Sequence, residues 1–323
     1  MSITLIPPLA APPAARNPSA AEPADYRLPV AASGLALARG WLWLGLAALV
    51  GSGLFSVLLV LARTPGVNAW LPGTDFFRTA LVVHVDLSVL VWFFAIAGLL
   101  WSLEAGRTAA RVGWVALGAA AVGAAMMSLA PFVDPGLPVM ANYVPVIESG
   151  WFLGGLLVFA LACTVLVAQA CGQWPTLRRM GTLDGASALR FGLWAAAVSA
   201  AVALGAFGAS LAAVPATLDA RTYWEILFWG GGHALQFTWT LLMLVGWLWL
   251  AQAVGAQVPL SARVALGLLA LALAAVFVTP YAYFAHPVLT VEHRELHTWG
   301  MRVGGGLALA QTGRAQEKEA PRP

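Results

Sequence analysis

Two of the five histidines stand in the middle of long apolar segments, where a titratable side chain is costly. His84 lies in FFRTALVVHVDLSVLVWFF, and His233 lies in WEILFWGGGHALQFTWT. Neutral imidazole is the commonest protein ligand for iron and copper. A single buried histidine can equally well donate a hydrogen bond to a neighbouring helix. Two such residues in one chain favour ligation of a metal or a heme.

The elements that carry these histidines are predicted to be membrane-spanning helices. Of the 323 residues, 60% are hydrophobic and 10% are charged, and apolar stretches of the length that a helix needs to cross a bilayer recur along the chain. We therefore predict an all-α polytopic transmembrane helix bundle with seven to eight spans. The predicted spans are Trp41–Leu61, Phe77–Leu103, Val112–Ala130, Val146–Cys171, Leu189–Val214, Tyr223–Ala253 and Ala262–Ala285, with an incomplete eighth at Thr298–Ala310.

A single membrane domain is predicted over residues 36–310, with a tail on each side of it. Residues 1–35 are rich in proline and alanine and are expected to form a disordered cytoplasmic tail, and residues 311–323 a polar C-terminal tail. With the N-terminus in the cytoplasm, nine arginines fall in inner segments and five in outer loops, as the positive-inside rule requires. Because the basic residues mark topology, they do not indicate nucleic-acid binding.

This topology places the two histidines at similar depth. The second and sixth spans both enter from the outside, so His84 lies about 10 Å and His233 about 15 Å below the outer ends of their helices at ~1.5 Å per residue. Two imidazoles from different helices could then face one layer of cofactor.

The residues beside these histidines allow two interpretations each. Arg78 lies ~9 Å further out than His84 and is expected either to pair with an anionic group of a cofactor or to extend to the interface. Asp86 points about 200° away from His84 and is expected to bond another helix or to belong to a proton path. The glycines Gly230–Gly232 before His233 favour close approach of a bulky group or close helix packing.

Three further histidines follow the seventh span. His286 ends that span and could reach inward, whereas His293 and His297 share a stretch with two glutamates and an arginine and are predicted to lie in a solvated loop. Cys163 and Cys171 have no CxxC or Cys/His neighbour and are predicted to be small core residues. The sequence contains no phosphate loop, HExxH, CxxCH or GxSxG motif, which disfavours nucleotide-driven and hydrolytic functions.

Three stretches carry a family resemblance: FFRTALVVHVDLSVLVWF in the second span, WGGGHALQF in the sixth and AHPVL at the end of the seventh. Over about residues 40–305 the chain resembles subunit I of the heme-copper oxidases, and is most similar in character to the cbb-type cytochrome c oxidases and the related nitric oxide reductases. The resemblance implies that His84 ligates the iron of a low-spin heme b and that His233 ligates copper beside a high-spin heme. His286 is the further copper ligand that it implies.

The chain departs from the family pattern in three places. Pro287 follows His286 where the family has a second adjacent histidine. Phe237 stands where many oxidases have a tyrosine, so Tyr281 or Tyr283 is expected to supply the phenol. The family has about twelve spans with the ligands of both heme irons on the tenth, so we expect a C-terminally truncated chain whose missing ligands come from elsewhere.

The function that the resemblance implies is reduction of dioxygen to water, coupled to proton transfer, in a bacterial inner membrane. The implied partners are membrane lipid, other oxidase subunits that carry electron-entry sites, and cytochrome c or quinol as electron donor. The alternatives are a non-catalytic truncated or assembly remnant of an oxidase, a nitric oxide reductase-like protein, and a heme-free proton-coupled transporter.

Overall fold

The protein is an all-α polytopic membrane bundle. The computed structural model describes residues 25–73, 75–173, 183–256 and 258–305. Seven helices in these ranges are long and apolar enough to cross a membrane, with mean hydropathies between 1.5 and 2.4. The predicted fold class is therefore confirmed, because each apolar stretch forms a helical span in which most backbone groups bond within the span.

The helices follow the predicted order along the chain. Their bounds are α1 Ala32–Ala62, α2 Phe76–Val85, α3 Trp92–Ser102, α4 Arg107–Val133, α5 Gly150–Gly172, α6 Gly185–Ala213, α7 Ala220–Ala253, α8 Ala262–Val276, α9 Val278–Ala285 and α10 Val291–Gly300. A short 3₁₀ turn, Asn68–Trp70, follows α1. Side chains of Asp184, Asp219, Ser261 and Thr290 accept hydrogen bonds from backbone N–H groups at the starts of α6, α7, α8 and α10.

Two spans are each built from two helices. The second span consists of α2 and α3 joined by a π-helical segment, Asp86–Val91, which begins two residues after His84. π segments inside α-helices are frequent at functional sites. The seventh span consists of α8 and α9, which are separated by a break at Phe277. Pro280 lies in the first turn of α9, where its missing N–H costs little.

A two-stranded antiparallel hairpin covers one end of the bundle. Strand β1 (Leu137–Val139) pairs with β2 (Val146–Glu148) between α4 and α5. The fourth span was predicted to begin at Val146, but that residue is in β2 and the helix begins at Gly150 with Ser149 as its N-cap. Apolar residues alone could not separate the buried strand from the helix.

Small residues allow the helices to pack closely. α4 packs along α5 and α6 along α7 over most of their lengths. At Gly123 a Cβ atom would meet the backbone of Gly155 and Phe159 on α5, so this crossing depends on glycine. Such contacts are how membrane helices associate where lipid removes the hydrophobic driving force between them.

The packed chain begins before the predicted boundary at residue 35. α1 begins at Ala32, and Tyr26 is fully buried, with its hydroxyl donating to the Leu260 carbonyl oxygen at 2.7 Å. Residues 1–24 of the predicted tail lie outside the described residues, as do residues 306–323 with the predicted C-terminal tail. Of the predicted eighth span, the structure describes the end of α10 and a π segment, Met301–Gly305.

Candidate functional site

Three histidines from two elements lie together beside the hairpin. His233 on α7 and His297 on α10 have ring centroids 5.5 Å apart, and those of His293 and His297 are 4.8 Å apart. All three residues are buried. We call these three residues the histidine cluster.

The hydrogen bonds of the cluster fix the same tautomer in every ring. The Nδ1 atom of His233 lies 2.7 Å from the Trp229 carbonyl oxygen, and that of His297 lies 2.8 Å from the His293 carbonyl oxygen. The Nδ1 atom of His293 lies 3.2 Å from the carbonyl oxygen of Ala282. A carbonyl oxygen only accepts, so each Nδ1 carries the hydrogen and each Nε2 presents a lone pair. Metal-binding histidines are oriented in the same way, by donating the other ring N–H to a carbonyl group.

The Nε2 atom of His297 is buried and has no hydrogen-bond partner among the described residues. A buried lone pair without a partner is costly unless a ligand satisfies it. Burial lowers the pKa of the His297 imidazole to about 4, and also lowers the pKa of His293, so both rings are neutral at physiological pH. Three buried imidazoles, of which His297 has an Nε2 lone pair without a partner among the described residues, fit a copper ion in their donor chemistry.

The prediction of a solvated loop for His293 and His297 is wrong. Both residues lie on α10, where a spacing of four residues puts them on one face, and that face packs against α7 and α9. The charged neighbours Glu292 and Glu295 are exposed on the other side of the same helix. The HxxxH spacing was the signal in the sequence, and the charges around it suggested a loop instead.

His286 lies at the C-terminal end of α9 and is half-buried. Its backbone is extended, and it interacts with the cluster through His293, to which the His286 backbone is hydrogen-bonded. The structure thus supplies two histidines beside His233 from α10.

Tyrosines border the cluster on two sides. The Tyr283 ring lies 4.6 Å from that of His293, edge to face, and its hydroxyl is 2.6 Å from Ser210 Oγ. Tyr281 is 58% exposed, so of the two phenols expected near the site, Tyr283 is the one that contacts it. On the other side, Tyr143 from the hairpin donates from its hydroxyl to His233 Nε2 at 3.1 Å.

The three glycines before His233 make room for aromatic rings. A Cβ atom at Gly230 would overlap Tyr283, one at Gly231 would overlap Phe207, and one at Gly232 would overlap Tyr143. The run therefore serves close packing, as one of the two interpretations expected. The groups it admits are the two tyrosines that border the cluster and one phenylalanine.

His84 belongs to a separate environment between α2 and α1. Its Nδ1 atom is 2.9 Å from the Ser52 carbonyl oxygen, 2.8 Å from Ser52 Oγ and 3.1 Å from Ser56 Oγ. The Ser52 hydroxyl donates to the His84 carbonyl oxygen at 3.0 Å, so the ring hydrogen must be on Nδ1. Nε2 is then the atom with which His84 can bind a heme iron.

Aromatic contacts between α3 and α7 give a common reference level from which the positions of His84 and His233 along their helices can be compared. The Trp239 ring lies 5.3 Å from that of Phe93 and 5.0 Å from that of Phe94. His84 precedes this contact by nine or ten residues and His233 by six, and the second and sixth spans run in the same direction. At ~1.5 Å per residue the two histidines differ by about 5 Å in their position along the helices, measured from this contact.

The two polar neighbours of His84 differ in their surroundings. Arg78 is exposed and its guanidinium lies 3.4 Å from Asp75 at the start of the same helix. Asp86 is buried, and neither of its carboxylate oxygens has a hydrogen-bond partner among the described residues. Of the two expectations for Asp86, a bond to another helix is not seen in this part of the chain.

The described residues contain no group of three or more histidine, cysteine, aspartate or glutamate side chains that is already arranged to hold a metal ion. The imidazole nitrogens of the cluster are suitable metal ligands, but they do not point to one common centre, because the Nε2 lone pair of His233 points to Tyr143. Rotation of the imidazoles toward one point would be needed. Cys163 and Cys171 on α5 are unpaired, and Cys163 lies in the apolar core as predicted.

The chain is similar to two uncharacterized bacterial proteins. It is 23% identical over 303 residues to one from Rickettsia prowazekii (strain Madrid E), covering 84% of this chain and 58% of that protein. It is 27% identical over 271 residues to one from Aquifex aeolicus (strain VF5), covering 83% of this chain and 65% of that protein. The chain thus spans about three fifths of the length of these curated relatives. No family model and no solved structure matches it.

Proposed function

We propose that this protein is a heme- and copper-binding, subunit I-like protein of a respiratory terminal oxidase, which reduces dioxygen to water with electrons from cytochrome c or quinol. The observation that carries the proposal is the histidine cluster, in which three buried imidazoles have Nδ1 bonded to carbonyl oxygens and the buried Nε2 atom of His297 has no partner among the described residues. His84, oriented by Ser52 on another helix, supports a second, separate ligation site. The cofactors, the activity and the partners are all proposals.

In this proposal each residue has a defined role. His233, His293 and His297 would hold a copper ion through Nε2 once their rings have turned toward one point, and the hydrogen bonds to carbonyl oxygens keep the ring hydrogen on Nδ1. His84 binds the iron of a low-spin heme b through Nε2. When bound, copper and heme would supply the one-electron redox chemistry that dioxygen reduction needs.

Two hydroxyl groups beside the cluster can hold or move protons. The Tyr283 hydroxyl, hydrogen-bonded to Ser210 Oγ at 2.6 Å, borders His293 and His297. A phenol in this position can give up a proton at its oxygen and regain it from the serine side. The three histidines beside these hydroxyl groups are buried, so bulk water has little access to them.

The proposed setting is a bacterial inner membrane with the N-terminus in the cytoplasm. The arginine distribution supports that orientation. The proposed partners are the oxidase subunits that carry the electron-entry sites, together with the helices that provide the remaining heme ligands.

The test is the metal and heme content of the full chain purified in detergent. We expect about one copper per chain and a reduced-minus-oxidised spectrum of heme b. His297→Ala removes a ligand and should abolish copper binding, whereas His286→Ala should leave copper in place. Atomic emission spectroscopy measures the copper, and absorbance spectroscopy measures the heme.

The two variants form a matched pair, since both remove an imidazole at the same end of the bundle. Copper loss in His286→Ala but not in His297→Ala would contradict the assignment to α10. Wild-type protein that takes up neither cofactor, under conditions that fill a control oxidase, would contradict the proposal as a whole.

One observation favours a second function, a proton-coupled transporter that needs no heme. Asp86 is a buried carboxyl group in a π segment of a membrane span, without a partner among the described residues. Intramembrane carboxyl groups often carry protons in transporters. In proteoliposomes with an internal pH dye, the transporter predicts proton flux that Asp86→Asn abolishes and that persists in heme-free protein. The oxidase proposal predicts no such flux.

A further inference from the structure

The hairpin brings one phenol directly onto the cluster. The Tyr143 hydroxyl lies 3.1 Å from His233 Nε2, and the ring centroids of the two residues are 4.9 Å apart. The Tyr143 ring also contacts Trp229 edge to face. Gly232 on α7 permits this approach, because any side chain there would overlap the phenol ring.

The direction of this hydrogen bond is fixed. His233 uses its Nδ1 hydrogen for the Trp229 carbonyl oxygen, so Nε2 can only accept and Tyr143 must donate. An ordinary tyrosine phenol is protonated at physiological pH, so Tyr143 has the hydrogen that this bond needs.

Polar contacts hold the Tyr143 loop in this position. The backbone N–H of Asn142 donates to a Glu225 carboxylate oxygen at 3.0 Å, and its side-chain amide donates to the other oxygen. Trp224 donates from its indole N–H to Glu148 at 3.0 Å. The two α7 residues in these bonds, Trp224 and Glu225, lie in the first two turns of that helix. The hairpin is therefore hydrogen-bonded to the helix that carries His233.

The Nε2 atom of His233 has one lone pair and therefore one partner at a time. While Tyr143 donates to it, that lone pair cannot bind a metal ion. The lone pair of His297, by contrast, has no partner among the described residues. The two rings thus differ in availability, and the difference is set by a residue of the hairpin.

We propose that Tyr143 gates the histidine cluster, because its hydroxyl occupies the Nε2 lone pair of His233 and must leave before a metal ion can bind there. This inference rests on the proposed function, since it takes the cluster as a copper site. In this proposal the hairpin covers the end of the bundle through which the metal ion enters. The hydrogen bonds between Asn142 and Glu225, which we call the latch, hold the hairpin in its closed position.

The experiment measures transfer of Cu(I) from a competing chelator to the full chain in detergent, after the protein has been stripped with a stronger chelator. Tyr143→Phe keeps the ring packing and removes only the hydroxyl. We expect it to take copper faster and to bind it roughly three- to tenfold more tightly, about the effect of one lost competing hydrogen bond. Asn142→Ala, which releases the latch without touching the cluster, should also speed transfer.

Tyr26→Phe is the matched control. It likewise removes one buried phenol hydroxyl, whose partner is the Leu260 carbonyl oxygen far along the chain from the hairpin, and it should leave the transfer rate unchanged. Equal acceleration in this control would mean that general loosening of the protein is responsible and would overturn the gate.

The remaining outcomes distinguish failure of the Tyr143 gate from failure of the proposed copper site. If the wild type takes copper and Tyr143→Phe takes it no faster, or binds it more weakly because the phenol is itself a ligand, the gate alone is overturned. If neither protein takes copper, the proposed copper site is overturned and the gate with it. Uptake by Tyr143→Phe but not by the wild type would support the gate in its strongest form.

Discussion

At His84 and in the histidine cluster, backbone carbonyl groups orient imidazole rings in the same way, but the two places contain different numbers of histidines. In both places a backbone carbonyl oxygen accepts the Nδ1 hydrogen and leaves Nε2 as a lone pair. At His84 one half-buried imidazole is held by two serines of α1. In the cluster, three buried imidazoles from α7 and α10 lie side by side, with a phenol on one of them.

The difference teaches which cofactor each place suits. One imidazole can bind an iron whose other ligands come mainly from a porphyrin ring, because the macrocycle completes most of the coordination shell. A copper ion has no such ring and needs several protein ligands, and the proposed copper site therefore uses the cluster, where three imidazoles lie together among the described residues. Separate substitutions should therefore remove one cofactor and spare the other.

The largest expected effect is loss of the heme in His84→Ala. The variant removes the only imidazole that the serines of α1 orient, so we expect the heme b spectrum to fall to near zero while copper content stays at the wild-type level. Absorbance difference spectra and copper analysis of the same preparation measure both quantities. Parallel loss of heme and copper would mean that the two places form a single site, and the comparison would fail.

A smaller effect is expected from Gly232→Ala, which alters only the cluster side. The added methyl group would overlap the Tyr143 ring, and overpacking of this kind costs about 1–3 kcal/mol. We expect a lower midpoint of thermal unfolding and a detached hairpin, with the heme spectrum of His84 unchanged.

Gly246→Ala is the control for this change, since it lies on the same helix and a Cβ atom there meets nothing within 4 Å. Its thermal midpoint should equal or exceed that of the wild type. If the two variants lose the same stability, the cost belongs to the helix backbone and Tyr143 is not the cause.

The smallest effect is expected from Ser52→Ala, which alters only the His84 side. The variant loses the hydroxyl that donates to the His84 carbonyl oxygen, but it keeps the backbone carbonyl that accepts from Nδ1. We expect a loss of about 1 kcal/mol in stability and retention of heme b. Thermal unfolding and heme content measure these, and complete loss of heme would show that the hydroxyl, and not the carbonyl, orients the ring.

The sequence determined the spans because hydropathy and helix length depend on local composition alone. Seven apolar stretches correspond to seven helical spans. The largest difference in their ends is at α1, which begins at Ala32 and not at Trp41, whereas at Val146 a strand of the hairpin stands where the helix was predicted to begin. His84 and His233 were also found from sequence, since a titratable residue in an apolar stretch is conspicuous wherever it packs. The heme and copper roles themselves remain predictions.

Only the tertiary structure decided which residues accompany His233. His293 and His297 are flanked by charges, so their local sequence suggested a solvated loop, and burial of one face of α10 depends on its packing against α7 and α9. Tyr143 is ninety residues from His233 in the chain, and no local pattern relates them. Composition specifies where a helix crosses the membrane, whereas the partners of its polar groups are set by contacts between segments distant in sequence.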